Sequence, residues 1–196
     1  MIITISREFG SGGQEIARAL ADHYKLKVYD ENMLNEIGIH ESYDIDQINQ
    51  YDEAPRWRIR SRTVRGLTNS NIDNIAMKEF DFLREKARVG ASFIVVGHCG
   101  ESVLDGYDPI TIFVSAAMDM KVERTMKQFG LSEKEAQALI KKTDRNRKTY
   151  HNYYCDHKWG DSRFYDLCID SSKLGVPQTV RFLITYIDMI QSNLPD

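Results

Sequence analysis

Short runs of β-branched and apolar residues alternate along this chain with stretches where apolar side chains return every three or four positions. The runs are Ile2-Ile3-Thr4-Ile5 and the segments 25–29, 93–96, 109–114 and 167–169. Each has the length and composition of a buried strand. The helical spacing covers 14–23, roughly 31–39, 72–89, 117–128, 132–154 and 176–192. Strands alternating with helices predict an α/β fold, a three-layer α/β/α arrangement around a five-stranded parallel sheet. Ligands of such folds bind beyond the carboxyl ends of the strands. Four of the five runs end there in small or polar residues: Asp30, Gly97-His98, Ser115-Ala116-Ala117 and Asp170-Ser171-Ser172.

The first run has the most informative continuation. After Ile5 the chain reads Ser6-Arg7-Glu8-Phe9-Gly10-Ser11-Gly12-Gly13, and Ile16, Ala17, Ala19 and Leu20 then repeat at helical spacing. Strand, glycine-rich turn and helix in this order build an anion site, because glycines admit phosphate oxygens to the backbone N–H groups and the helix N-terminus adds positive potential. The standard phosphate-binding loop is G-x-x-x-x-G-K-[ST]. Aligned on Gly12, this chain has Arg7 at the first glycine, Gly13 at the lysine and Gln14 at the hydroxyl position. Arg7 is the nearest cation in sequence and a candidate to supply the missing charge. Glu15 in the first helical turn repels phosphate if it faces the loop and is harmless if it faces outward.

A chain of 196 residues predicts one domain with room for an insert, large enough to bury a core without disulfides. Its net charge of −3 gives no reason to expect a nucleic-acid polymer or a membrane as partner. Cys99, Cys155 and Cys168 show neither a disulfide framework nor CxxC spacing, which fits a reducing cytoplasm. No signal-peptide pattern and no run of membrane-spanning length is visible.

Segment 40–71 begins acidic and polar and then carries Arg56, Arg58, Arg60, Arg62 and Arg65. On a helix Arg58, Arg62 and Arg65 share one face, and Arg56 and Arg60 another. A solvated surface is one reading; a flap that meets an anionic ligand is the other, since guanidinium matches phosphate geometry. At most two or three of these arginines fit one site, and Arg58 and Arg62 are the candidates.

With the glycine loop, Tyr29-Asp30, Gly97-His98-Cys99 and Asp170-Ser171-Ser172 in this order, the chain resembles the cytidylate kinase-like family, a divergent branch of the P-loop nucleoside monophosphate kinases. The stretch from Lys158-Trp159-Gly160-Asp161 through Tyr165-Asp166-Leu167-Cys168-Ile169-Asp170-Ser171-Ser172-Lys173-Leu174-Gly175 is its most specific C-terminal part. The resemblance implies transfer of the γ-phosphoryl of ATP to a nucleoside monophosphate, CMP or similar, with Mg²⁺. It implies a core of 1–39, 90–130 and 164–196, an acceptor-side flap at about 40–89 and a lid at about 141–163. The lid segment carries seven basic and three acidic residues, a local net of +4 in a chain of −3. Charge neutralisation and positioning dominate phosphoryl transfer, so Arg145 and Arg147 join Arg7 as catalytic candidates. Tyr150, Tyr153 and Tyr154 read as packing at the hinge.

Gly10, Ser11, Gly12, Gly13 and Gln14 are the expected donor-phosphate residues, and Ser171 and Ser172 are expected to line the adenine side, or to cap the last helix. Asp30 matches a carboxylate near the acceptor and the metal; holding Mg²⁺ with Ser11 and capping the following helix are its two readings. His98 stands where relatives have an arginine for the acceptor phosphate, and a satisfied polar strand end is its alternative role. The expected partners are a nucleotide donor and a small anionic acceptor, with a homodimer compatible with the sequence. Three functions stay open: an active nucleotide kinase, a weak or inactive nucleotide-binding regulatory module, and a small-molecule kinase with a non-nucleotide acceptor.

Overall fold

A computed structural model describes residues 1–30, 33 and 69–192. Five strands, β1 (Ile2–Arg7), β2 (Lys27–Tyr29), β3 (Phe93–Val96), β4 (Ile110–Ser115) and β5 (Leu167–Asp170), form one sheet in the order β2-β3-β1-β4-β5. Every pairing is parallel, with Ile3 set against Ile94 on one side and Ile110 on the other. The parallel arrangement places the ends of all five strands along one edge of the sheet, so Arg7, Asp30, Gly97, Ser115 and Asp170 approach that edge together.

The described helices are α1 (Gly13–Tyr24), α2 (Asn69–Arg88), α3 (Gly100–Val103), α4 (Met118–Phe129), α5 (Glu133–Tyr154) and α6 (Ser171–Ser192). Alternation along β1 divides them between the two faces. Ile3 and Ile5 join Ile16, Leu20, Ile94, Ile112, Leu183 and Ile187 in the layer under α1 and α6. Ile2 joins Phe80, Leu83, Phe93, Val95, Val103 and Tyr150 in the layer under α2, α3 and the end of α5. Thr4 and Ser6 also face this second layer by their alternation, and both are buried. One face of the central strand is therefore aliphatic and the other carries hydroxyls.

Three expectations shift in detail. Strand β2 begins at Lys27 rather than at 25, because Lys25 adopts a left-handed conformation, φ 58°, and closes α1 with its N–H on Ala21 O. The last helix begins at Ser171, five residues before the expected start, and breaks at Gly175 (φ 69°, ψ 164°) just before Pro177. Asp170 starts that early turn by accepting from Ser172 N at 2.9 Å. Helix α3 and the 3₁₀ turn Asp105–Tyr107 were not foreseen; pieces of three or four residues are too short to show a period. Helix α5 continues without interruption through the first part of the expected lid. Its start is a capping box in which Ser132 Oγ accepts from Glu135 N and Glu135 accepts from Ser132 N at 2.9 Å. The expected helix at 31–39, apart from Met33, and the arginines of 56–65 lie outside the described residues.

Leu20 is fully buried between α1 and the sheet. Leu20→Ala is expected to lower the unfolding free energy by about 2–5 kcal/mol in chemical denaturation, the cost of a lost side chain plus its cavity. A loss well below that range would show that the α1 layer is loosely packed.

Candidate functional site

The loop between β1 and α1 is the centre of the strand-end edge. Gly12 caps α1 in a left-handed conformation, φ 80°, and a Cβ there would stand 2.6 Å from Val176 Cγ2. Glycine is required on both counts. The first intrahelical bond runs from Ile16 N to Gly12 O at 2.9 Å. The amides of Gly13, Gln14 and Glu15 are thus the open donors of the helix N-terminus, where the dipole favours an anion. Glu15 is exposed, so its carboxylate is screened by water.

Gly13 is buried directly beneath Arg7. A Cβ on Gly13 would lie 2.6 Å from Arg7 Cβ and 3.0 Å from its Cγ. No side chain fits at position 13 while Arg7 keeps this place, and a lysine is excluded by the same contact. The aliphatic stem of Arg7 occupies the space in which a standard loop lysine would begin.

Side chains remote in sequence fix the loop backbone. Arg124 of α4 donates from Nη1 to Gly10 O at 3.2 Å and to Ser171 Oγ at 3.2 Å, and Ser171 Oγ donates to Ser11 O at 2.5 Å. Ser11 Oγ donates to Glu8 O at 2.8 Å. On the other flank Phe9 N donates to Asp144 Oδ1 at 2.7 Å. The buried Lys121 ammonium bridges Asp144 Oδ2 at 2.8 Å and Glu8 Oε2 at 3.1 Å. Arg147 Nη1 donates to Arg7 O at 3.2 Å, and its guanidinium lies over the Phe9 ring at 5.7 Å. Helices α4 and α5 therefore hold the loop from one side and the start of α6 from the other.

The residues singled out from sequence separate accordingly. Arg7, the glycine loop, Gln14, Asp30 and Arg147 come together. Gln14 Nε2 donates to Asp30 Oδ2 at 2.5 Å, so the residue in the hydroxyl position of the loop reaches the carboxylate at the end of β2. Ser11 and Ser171 are fully buried and spend their hydroxyl protons on loop carbonyls. They shape the loop; an open metal ligand at Ser11 and an adenine contact at Ser171 do not match these positions. Ser172 donates to Asp170 and accepts from Ala117 N at 3.4 Å, which is the helix-capping alternative. His98 is buried, with Nδ1 3.3 Å from Glu79 Oε2 of α2, and so is turned into the core as a satisfied polar residue rather than toward an acceptor. Arg145 is exposed on α5, 100° around the helix from Asp144. Arg58 and Arg62 lie outside the described residues.

Glu8, Lys121, Arg124 and Asp144 were missed. From sequence Asp144 is no more than one of the three acidic residues of 141–163. A second missed group sits under the hydroxyl face of β1. Glu101 of α3 accepts from Ser6 Oγ at 3.0 Å and meets His151 Nε2 of α5 at 2.5 Å, with His157 Nε2 at 3.7 Å. Cys155, one turn after His151, is buried beside Cys99. A hydrogen bond from Cys99 draws the Cys155 thiol below its ordinary pKa against the effect of burial, and His151 adds to this. Burial alone would raise the Glu101 carboxyl, but the hydrogen bond from His151, with the His157 imidazole nearby, holds it well down.

The profile of the cytidylate kinase-like family matches residues 2–173. A cytidylate kinase of Pyrococcus horikoshii is 26% identical over 195 residues, covering 97% of this chain and 91% of that protein. A cytidylate kinase of Methanopyrus kandleri is 26% identical over 197 residues, covering 96% and 93%. Among solved structures, an uncharacterized protein from Eubacterium ventriosum superposes with a TM-score of 0.76 at 37% identity, covering 96% of this chain and 98% of that one. A shikimate kinase from Acinetobacter baumannii in complex with shikimate superposes with a TM-score of 0.54 at 12% identity, over 99% and 95% of the two chains, a likeness of fold alone. The fold is that of the P-loop kinases, and the chain belongs to the cytidylate kinase-like family.

Proposed function

We propose that the protein transfers the γ-phosphoryl group of ATP to a nucleoside monophosphate, with a CMP-like acceptor. The observation that carries this reading is the Arg7–Gly13 contact: the loop keeps its phosphate-facing helix N-terminus and has an arginine stem packed where the loop lysine would start. The relatives named cytidylate kinase, which this chain covers almost end to end, support the choice of acceptor.

In this reading the amides of Gly13 and Gln14 hold the donor phosphates, and the Arg7 guanidinium follows the charge that builds on the β–γ bridge. Arg147 ties α5 to the backbone at Arg7, so movement of that helix is coupled to the position of the guanidinium. Arg145 adds its exposed charge when the lid meets ATP. The acceptor phosphate is already ionised and needs no strong base; one of its oxygens attacks the γ-phosphorus in line, and ADP leaves. A single buried carboxylate, held by Gln14, suits Mg²⁺, which takes few protein oxygens and keeps waters. Asp30 would hold it through water, and the bound ion would neutralise part of the polyphosphate charge. Ser11, turned onto Glu8 O, does not fit as its second ligand. Gly10, Gly12, Arg58 and Arg62 complete the proposed donor and acceptor contacts. The units are one kinase core, an acceptor-side flap and a lid.

His98 favours a second reading. Relatives are expected to present a cation to the acceptor at this point, whereas His98 pairs with buried Glu79. That change suits a small anionic acceptor other than a nucleotide.

ADP release from purified protein, ATP and Mg²⁺ over a panel of acceptors tests both readings. Turnover is expected with CMP ahead of other nucleoside monophosphates. Turnover confined to a non-nucleotide acceptor selects the second reading, and a thermal shift with ATP without turnover on any acceptor rejects transfer altogether. Arg147→Ala is expected to lower kcat at least tenfold, and Arg145→Ala to lower it without changing the melting temperature. Full activity in both variants would remove the lid from the chemistry.

A further inference from the structure

The buried group beneath β1 has a composition that phosphoryl transfer does not use. Ligand atoms of Glu101, His151 and Cys155 all lie within 4.8 Å of one another, and all three residues are buried. His157 stands beside these three: its Nε2 is buried, lacks a hydrogen-bond partner and faces Glu101 Oε1 at 3.7 Å, and it would close further on the set to act as the fourth ligand. That separation is too long for a hydrogen bond. It matches the spacing of two ligands on one tetrahedral ion, which bond lengths of about 2.0–2.3 Å set at roughly 3.3–3.8 Å.

We propose that Glu101, His151, Cys155 and His157 form a four-coordinate site for a borderline transition-metal ion, zinc by preference, that fastens the C-terminal end of α5 to α3 and β1.

Charge supports the assignment. One carboxylate, one thiolate and two neutral imidazoles around a divalent cation sum to zero, which is what a buried site requires. Mixed O, N and S donors suit zinc and exclude magnesium and calcium as preferred occupants. The outer contacts are those of a supported site: Ser6 Oγ donates to Glu101 Oε2 at 3.0 Å, and Cys99 reaches the Cys155 sulfur. Binding requires the contact between His151 and Glu101 to open from 2.5 Å to co-ligand spacing.

The site also has an access route. Glu101 and His157 line a cavity of about 630 Å³ whose walls carry Asp105, Asp108, Asp156 and Asp166 against the single cation Arg163. A cavity of this sign concentrates cations at its floor. The site lies on the hydroxyl face of β1, in the layer opposite α1 and α6. Its closed ligand set, with no open position, marks a structural ion rather than a catalytic one.

Cobalt substitution of the full-length protein tests this. After removal of metal by a chelator, Co²⁺ titration is expected to bind one equivalent, with intense visible bands of tetrahedral cobalt and a near-ultraviolet thiolate charge-transfer band. Zn²⁺ should displace it stoichiometrically. Cys155→Ser is expected to lose the charge-transfer band and His157→Gln the one-to-one stoichiometry, while Cys168→Ser keeps both. Folded wild-type protein, checked by circular dichroism, that takes up no cobalt or gives only octahedral spectra would overturn the proposal. So would a charge-transfer band that survives Cys155→Ser.

Discussion

Arg7 and Gly13 approach so closely that neither position is free to vary alone. The 2.6 Å that would separate a Cβ at position 13 from Arg7 Cβ is well inside any real contact. The constraint sets the course of the chain from β1 into α1. Once the arginine stem lies there, position 13 has no room for a side chain, and Val176 beside Gly12 and Lys121 beside Gly10 keep the rest of the turn equally bare at those two positions. The supports around the loop follow from the same geometry. Carbonyls at Glu8, Gly10 and Ser11 turn away from the helix N-terminus and need donors, which Ser11, Arg124 and Ser171 provide. The loop amides that remain are those of Gly13, Gln14 and Glu15 at the start of α1.

The pairing also explains how a kinase loop can lack its lysine. In the standard sequence a small residue at the end of the strand leaves room for a long cationic side chain from the helix. Here the long cationic side chain comes from the strand, and the small residue is on the helix. In the proposed reading the two arrangements are reciprocal, with the charge carried from opposite walls of the same turn. Arg147, bound to the carbonyl of Arg7, ties this strand end to α5, and Asp144 on the same face of α5 ties it to Lys121 and Glu8.

The strands and long helices were legible because their periods extend over enough residues to be read. The loop was legible as a cradle, and so was the candidacy of Arg7, since both rest on neighbours in sequence. The roles of Ser11 and Ser171 were not. A serine hydroxyl reads the same whether it meets a ligand or a backbone carbonyl 160 positions away, and only the topology brings Ser171 to Ser11. Lys121, Arg124 and Asp144 were invisible for the same reason: they meet the loop through the β1–β4 pairing and the docking of α4 and α5. His98 had two readings from its place at the strand end; its left-handed backbone, φ 52°, and its contact with Glu79 match the polar strand end. The group around Glu101 left a faint trace. His151, in the last turn of α5, and Cys155, which caps it, stand four apart, but the spacing lacks CxxC form, and Glu101 lies 50 residues from His151. The hydroxyl of Ser6 in an otherwise apolar strand was the other sign, since it donates to Glu101.

The exchange of Arg7 and Gly13 tests the reciprocal arrangement most directly, by ADP release and thermal melting on four proteins side by side. Arg7→Gly is expected to lose turnover on the order of 10²–10³, the scale for one preorganised charge, and Gly13→Lys to melt at lower temperature because its Cβ meets Arg7. The double variant R7G/G13K, which recreates the ordinary pattern, is expected to recover both melting temperature and turnover relative to the single variants. Full turnover in Arg7→Gly, or a double variant no better than its parents, would contradict the account.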